Sequence, residues 1–171
     1  MSKFRYHLGL PIRSVINIVT ELGQTMQGVG MSRSQSEHFL ETLRFWCRGQ
    51  CDITAVAKVG SYARGDPRPD SDIDIVLICE DPKARHLHRE WIAEFGEATT
   101  IRHADYGLVQ SLHIDFRDYG KVEFGLTNLE WLTPPIDEKT KDVMRGGIVS
   151  VFDPKRLIDR VLRSLDQSGS S

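Results

Sequence analysis

Apolar positions recur at helical spacing in four stretches of the chain, and β-branched or alternating runs mark five others. From about Arg13 to Gln27, Val15, Ile16, Val19, Leu22 and Met26 fall on one side of a helix. Ser34 and Glu37 predict a capping box for a second helix, with Phe39, Leu40, Leu43, Trp46 and Cys47 inward and a stop near Gly49. Ile53 to Val59 and Ile73 to Cys79 read as strands. Asp81-Pro82 is a helix start, and Leu87, Trp91 and Phe95 follow at four-residue steps. Two strands are expected around 108–117 and 121–127, loop over 131–140, and a further strand over 147–152. Asp153-Pro154 starts a last helix with Leu157, Ile158, Val161 and Leu162 inward.

This order predicts an α+β fold: a small mixed sheet with helices packed on one face. It fits a single domain over residues 1–165. Within it lie a helical segment at 13–49, a core at 52–130, and a closing strand and helix at 147–165, followed by a disordered tail at 166–171.

With 171 residues, 40% hydrophobic and 27% charged, the chain can bury a real core. A net charge of -2 argues against a general nucleic-acid coat. Cys47, Cys51 and Cys79 form no CxxC pair, which suits reduced thiols. No apolar run is long enough for a membrane span, and the N-terminus lacks a signal-peptide core. The expected compartment is the cytoplasm, with no membrane partner.

The stretch that carries chemistry is "VGSYARGDPRPDSDIDIVLI", residues 59–78. Strand alternation sends Ile73, Ile75 and Leu77 one way, and Asp72, Asp74, Val76 and Ile78 the other. Two carboxylates about 7 Å apart repel by roughly 2 kcal/mol at an effective dielectric near 20. The strand holds no Lys or Arg to relieve them. A divalent cation such as Mg²⁺ would, because carboxylates are its preferred hard ligands. A lone Asp-x-Asp reads more simply as a turn cap beside an exposed acid. Here Gly60-Ser61 precedes it, directly after a strand. Gly60 lets a backbone approach a phosphate closely, and Ser61 offers a hydroxyl and an N–H to phosphate oxygens. Arg64 and Arg68 lie in the connection, where they can meet further phosphate charge or remain solvated.

Gly60-Ser61, a ten-residue gap and Asp72-Ile73-Asp74 among apolar residues resemble the nucleotidyltransferase signature of the DNA polymerase beta superfamily, especially its small bacterial members. The resemblance covers about 20 residues. It implies the polymerase beta-like fold, two Mg²⁺ ions and a nucleoside triphosphate, with ATP favoured by the family. The nucleoside monophosphate would pass to an acceptor hydroxyl with release of pyrophosphate. Gly60, Ser61 and Arg64 would hold the triphosphate, and Asp72 and Asp74 the metals.

Two-metal transfer needs a third acid near the attacking hydroxyl. The hairpin "SLHIDFRDYGKVEFGLT" offers Asp115 and Glu123. A three-residue turn over 118–120 would set Arg117 opposite Lys121 and Asp115 opposite Glu123, leaving both acids on the polar face. "VEFGLT" is closer to the small bacterial relatives, so Glu123 is preferred and Asp115 is the alternative ligand. His113 shares that face and reads as an ordinary polar strand residue. His86 and His88 read as surface positions. Trp46, Trp91 and Phe95 read as core, Tyr62 as a neighbour of the nucleotide, and Lys139, Lys141 and Arg145 as solvated. The acceptor is not legible: a small molecule such as an aminoglycoside, or a protein hydroxyl, both fit, whereas a long nucleic acid does not. A second class also fits, an antitoxin-like protein whose role is to bind a toxin partner. Oligomeric state is not legible.

Overall fold

The computed structural model describes residues 31–168; the helix expected over 13–27 lies outside the described residues. Helix α1 (Arg33–Arg48) opens on Ser32. Its side chain accepts from the Gln35 N–H, and the Gln35 side chain accepts from the Ser32 N–H at 2.9 Å. The capping box therefore sits two residues ahead of Ser34 and Glu37. Glu37 instead pairs with Arg33 at 3.0 Å. As the spacing predicts, Phe39, Leu43, Trp46 and Cys47 are buried.

Strands β1 (Ile53–Val59) and β2 (Ile73–Cys79) have the expected bounds. Between them runs a five-residue helix, α2 (Gly60–Arg64). Helix α3 (Pro82–Leu87) is capped by Asp81, which accepts from the Ala84 N–H at 2.9 Å. The expected continuous helix breaks there. The Trp91 indole N–H takes the Arg85 carbonyl at 3.0 Å, a carbonyl that the next helical turn would use. Glu90–Phe95 resumes as a 3₁₀ turn, and Leu87 is 73% exposed rather than inward. Trp91 instead meets Phe124 edge-on at 5.0 Å and stacks on Trp46 at 5.6 Å.

Strand β3 (Ala98–Asp105) has no counterpart in the hydrophobic pattern, because it is an edge strand exposed along most of its length. Strands β4 (Gln110–Phe116) and β5 (Gly120–Thr127) form the expected hairpin. Part of the expected loop over 131–140 is structured. A 3₁₀ turn spans Leu129–Leu132, and helix α4 (Glu138–Arg145) buries only Thr140 and Met144, too few positions to show a period. Strand β6 (Ile148–Phe152) and helix α5 (Leu157–Ser168) close the described chain. Asp153 caps α5, accepting from the Leu157 and Ile158 N–H groups. The helix runs past residue 165, into the segment expected to be a disordered tail.

The six strands form one mixed sheet in the order β3-β4-β5-β2-β1-β6. Only β2 and β5 pair in parallel; the other neighbours are antiparallel. The α+β class and small mixed sheet are as the pattern predicts, but the helical layer is doubled. On one face, α1 and the 3₁₀ turn at 90–95 bury Ile73, Ile75, Leu77, Leu112, Ile114, Val122 and Phe124. On the other, α4, α5 and Trp131 cover Ala55, Ala57, Val76 and Ile78. The alternation of β2 thus feeds both cores. The site depends on where the second layer stops, because Asp74 lies on that second face just beyond Val76.

Candidate active site

Gly60 has φ +68°, a left-handed conformation that favours glycine. Its position is also sterically closed: a Cβ there would stand 2.5 Å from Asp74 Oδ2. The bend thus brings backbone directly against the second aspartate. The Gly60 N–H donates to the Gly147 carbonyl at 3.0 Å, extending the β1–β6 pairing into the bend. That amide is therefore occupied. The groups left for a phosphate are the Ser61 hydroxyl, which makes no hydrogen bond among the described residues, and the first-turn N–H groups of α2.

Arg64 lines the same cleft, but its guanidinium is engaged. It donates to the Gly146 carbonyl and pairs with Asp66 at 3.2 Å. Arg68 is exposed, and its backbone N–H donates to Ser71 Oγ. Tyr62 turns inward: it packs against the larger core, and its hydroxyl donates to the Met31 carbonyl at 3.1 Å.

Across the sheet, the parallel register of β2 and β5 sets Asp74 beside Glu123. Burial, then Glu123, then Asp72 push the Asp74 carboxyl from 3.8 up to about 7. Among the described residues no cationic side chain forms an ion pair with Asp72 or Asp74. Glu123 has His113 beside it, Nδ1 to Oε2 at 3.5 Å.

The hairpin register differs from the expected one by two residues. The turn is Arg117-Asp118-Tyr119, with Gly120 (φ +87°) already paired to Phe116, so Asp115 lies opposite Lys121 and His113 opposite Glu123. A two-residue shift keeps every side chain on its face. Asp115 and Glu123 therefore still share the polar face, but only Glu123 reaches Asp74. Asp115 is a strand further away and has Arg102 at 3.9 Å.

The second face opens here into a cleft of about 480 Å³. Asp74 and Glu123 form part of its wall. Val76, Val109, Ser111, Gly125 and Trp131 extend it, and Lys139 and Thr140 of α4 stand among its other lining residues. Lys139 is exposed and makes no ion pair among the described residues, whereas Lys141 pairs with Glu138 and Arg145 with Asp142. Ser61 and Asp72 lie outside the lining. The hydrophobic pattern gives no hint of Ser111, Gly125 or the His113–Glu123 pair. The correct hairpin register would have shown the last.

The donors suit a divalent cation by type and charge: hard carboxylates that repel one another, with no positive side chain paired to the two aspartates. Among the described residues, no three such side chains are already gathered at ligand spacing.

Residues 41–141, more than half of the chain, match the nucleotidyltransferase domain family. No curated protein matches by sequence. Among solved structures, the chain is similar to an aminoglycoside 6-adenyltransferase from Bacillus subtilis. Identity is 15% and the TM-score 0.45, over 70% of this chain and 41% of that one. It is also similar to a cytoplasmic RNA terminal U-transferase, with 21% identity and a TM-score of 0.42 over 58% of this chain and 31% of that one. The Cid1 poly(U) polymerase gives 19% identity and 0.41 over 58% and 33%. The chain thus spans less than half the length of these proteins. No described helix is long and apolar enough to cross a membrane. By the match over residues 41–141, the chain belongs to the nucleotidyltransferase domain family.

Proposed function

We propose that this protein transfers AMP from ATP to an acceptor hydroxyl, with release of pyrophosphate. The observation that carries this reading is the pairing of Asp74 with Glu123 beside the Gly60 bend, with the Asp74 carboxyl pushed up by burial first and then by Glu123 and Asp72. The Ser61 hydroxyl and the first-turn N–H groups of α2 take the terminal phosphates. Lys139 lines the same cleft from α4 and offers it a positive charge, and Arg64 braces α2 through Gly146.

Asp72, Asp74 and Glu123 would hold Mg²⁺, which when bound polarises the α-phosphate and lowers the pKa of the acceptor hydroxyl. Glu123 receives the acceptor's proton as the new O–P bond forms and the bond from the α-phosphorus to the bridging oxygen breaks. His113 orients Glu123 from the neighbouring strand. Most of the rate enhancement then comes from positioning and charge neutralisation.

The test is incubation with Mg²⁺ and ATP labelled at the α-phosphate, with aminoglycosides, neutral alcohols and cell lysate as acceptors. Labelled product in the wild type, absent from Asp74→Asn and retained by Asp70→Asn, supports the reading. Equal loss in both variants contradicts it, because Asp70 is an exposed residue of the connecting loop.

A further inference from the structure

Ser111 is 1% exposed, and its Oγ has no hydrogen-bond partner among the described residues. It sits on β4 opposite Gly125, on the same face as His113 and Glu123, and it lines the cleft. A buried hydroxyl with no protein partner costs free energy unless a water or a ligand completes it. Gly125 keeps the place open for its neighbours: a Cβ there would stand 2.8 Å from Val109 Cγ1 and 3.7 Å from Ser111 Oγ.

The sheet order fixes which substrate lies nearby. The phosphate bend follows β1, the acids stand on β2 and β5, and Ser111 stands on β4, across the acids from the bend. In-line displacement puts the entering hydroxyl opposite the departing pyrophosphate. A triphosphate held at the bend therefore leaves the Ser111 side to the acceptor. This step rests on the nucleotidyl-transfer reading above.

The lining there is Tyr106, Leu108, Val109, Trp131 and Val143. Besides Asp74 and Glu123, the only carboxylate in the lining among the described residues is Asp137, and it caps α4 through both the N–H and the hydroxyl of Thr140. With Asp74 and Glu123 assigned to the cation and Asp137 to the cap of α4, the described lining offers a polycation no further carboxylate. The volume suits a small molecule. We propose that Ser111 Oγ is the hydrogen-bond anchor of the acceptor subsite, and that the acceptor is a small, neutral, largely apolar molecule carrying a hydroxyl.

Binding can be read without turnover. The whole protein, labelled with ¹⁵N, is saturated with Mg²⁺ and a non-hydrolysable ATP analogue, then titrated with benzyl alcohol or with kanamycin while amide shifts are followed. Benzyl alcohol is expected to move the Val109, Ser111 and Gly125 amides, and Ser111→Ala to weaken that binding about five- to tenfold. The same variant, without ligands, is expected to unfold at a higher temperature than the wild type, because an unpaired polar group is gone. Silence at these amides, stronger shifts with kanamycin, unchanged affinity in Ser111→Ala, or a lowered unfolding temperature would each overturn the proposal. Failure of the ATP analogue to move Gly60 and Ser61 would instead count against the nucleotidyl-transfer reading, and the unfolding comparison would still judge the hydroxyl.

Discussion

The fold holds a proton on Asp74. Its carboxyl titrates at about 7 in the folded protein against 3.8 ordinarily. Below about pH 4 it is neutral in both folded and unfolded chains. Between about 4 and 7 only the unfolded chain ionises it, so the metal-free protein loses stability as pH rises through that window. Asp74→Asn is expected to stabilise the metal-free protein at pH 8 by about 1–2 kcal/mol, the full shift being reduced because the carboxylate is partly solvated. Urea unfolding at pH 5 and pH 8 measures this: the variant's gain is smaller at pH 5 than at pH 8 and vanishes below about pH 4. The third acid gives a second residue-scale prediction. Glu123→Gln should lower transfer at least 100-fold, while Asp115→Asn, set apart beside Arg102 and Lys121, should stay within about threefold. Steady-state rates with saturating Mg²⁺ distinguish the two.

At the scale of elements, the site is built by three junctions: the bend from β1 into α2, the parallel pairing of β2 with β5, and the brace from β6. Gly147 carries the brace. It has φ +109°, and a Cβ would lie 2.6 Å from Arg64 Cγ and 3.3 Å from the Gly60 carbonyl oxygen. Gly147→Ala is therefore expected to cost about 1–3 kcal/mol of stability and to weaken nucleotide binding several-fold, read by thermal unfolding and titration calorimetry.

Much of this architecture is legible in the sequence where burial is periodic. β1, β2 and the faces of the hairpin follow from alternation, and so does the place of Asp74 on the second face. The pattern fails where burial is sparse. Strand β3 is exposed, α4 buries two residues, and α3 ends because one indole claims a backbone carbonyl. The hairpin register fails for a different reason. A shift of two residues leaves the alternation unchanged, so no hydrophobic pattern can detect it. That shift decides that His113, not Asp115, faces Glu123. Ser111 is illegible because a small polar residue in a strand looks exposed until the sheet's second face is known.

Taken whole, the molecule clamps one sheet between two cores and leaves the acid end of the second face open. The closed parts are chemically quiet. Burial pushes the Cys47 and Cys79 thiols up to about 12, while Cys51 is exposed. A maleimide is expected to label Cys51 alone in the native protein and all three thiols after unfolding, read by mass spectrometry. Asp52 and Arg85 fasten the far end of the sheet through a contact of 2.6 Å, with the guanidinium over Trp46 at 5.2 Å.

At the open end, we propose, Asp72, Asp74 and Glu123 bind a nucleotide only by sharing a divalent cation with it. Titration calorimetry of ATP with Mg²⁺ and with chelator tests this most directly. Binding is expected with Mg²⁺, at least tenfold weaker with chelator, and comparably weakened in Asp74→Asn. Equal ATP affinity under all three conditions, or none with Mg²⁺, would contradict it.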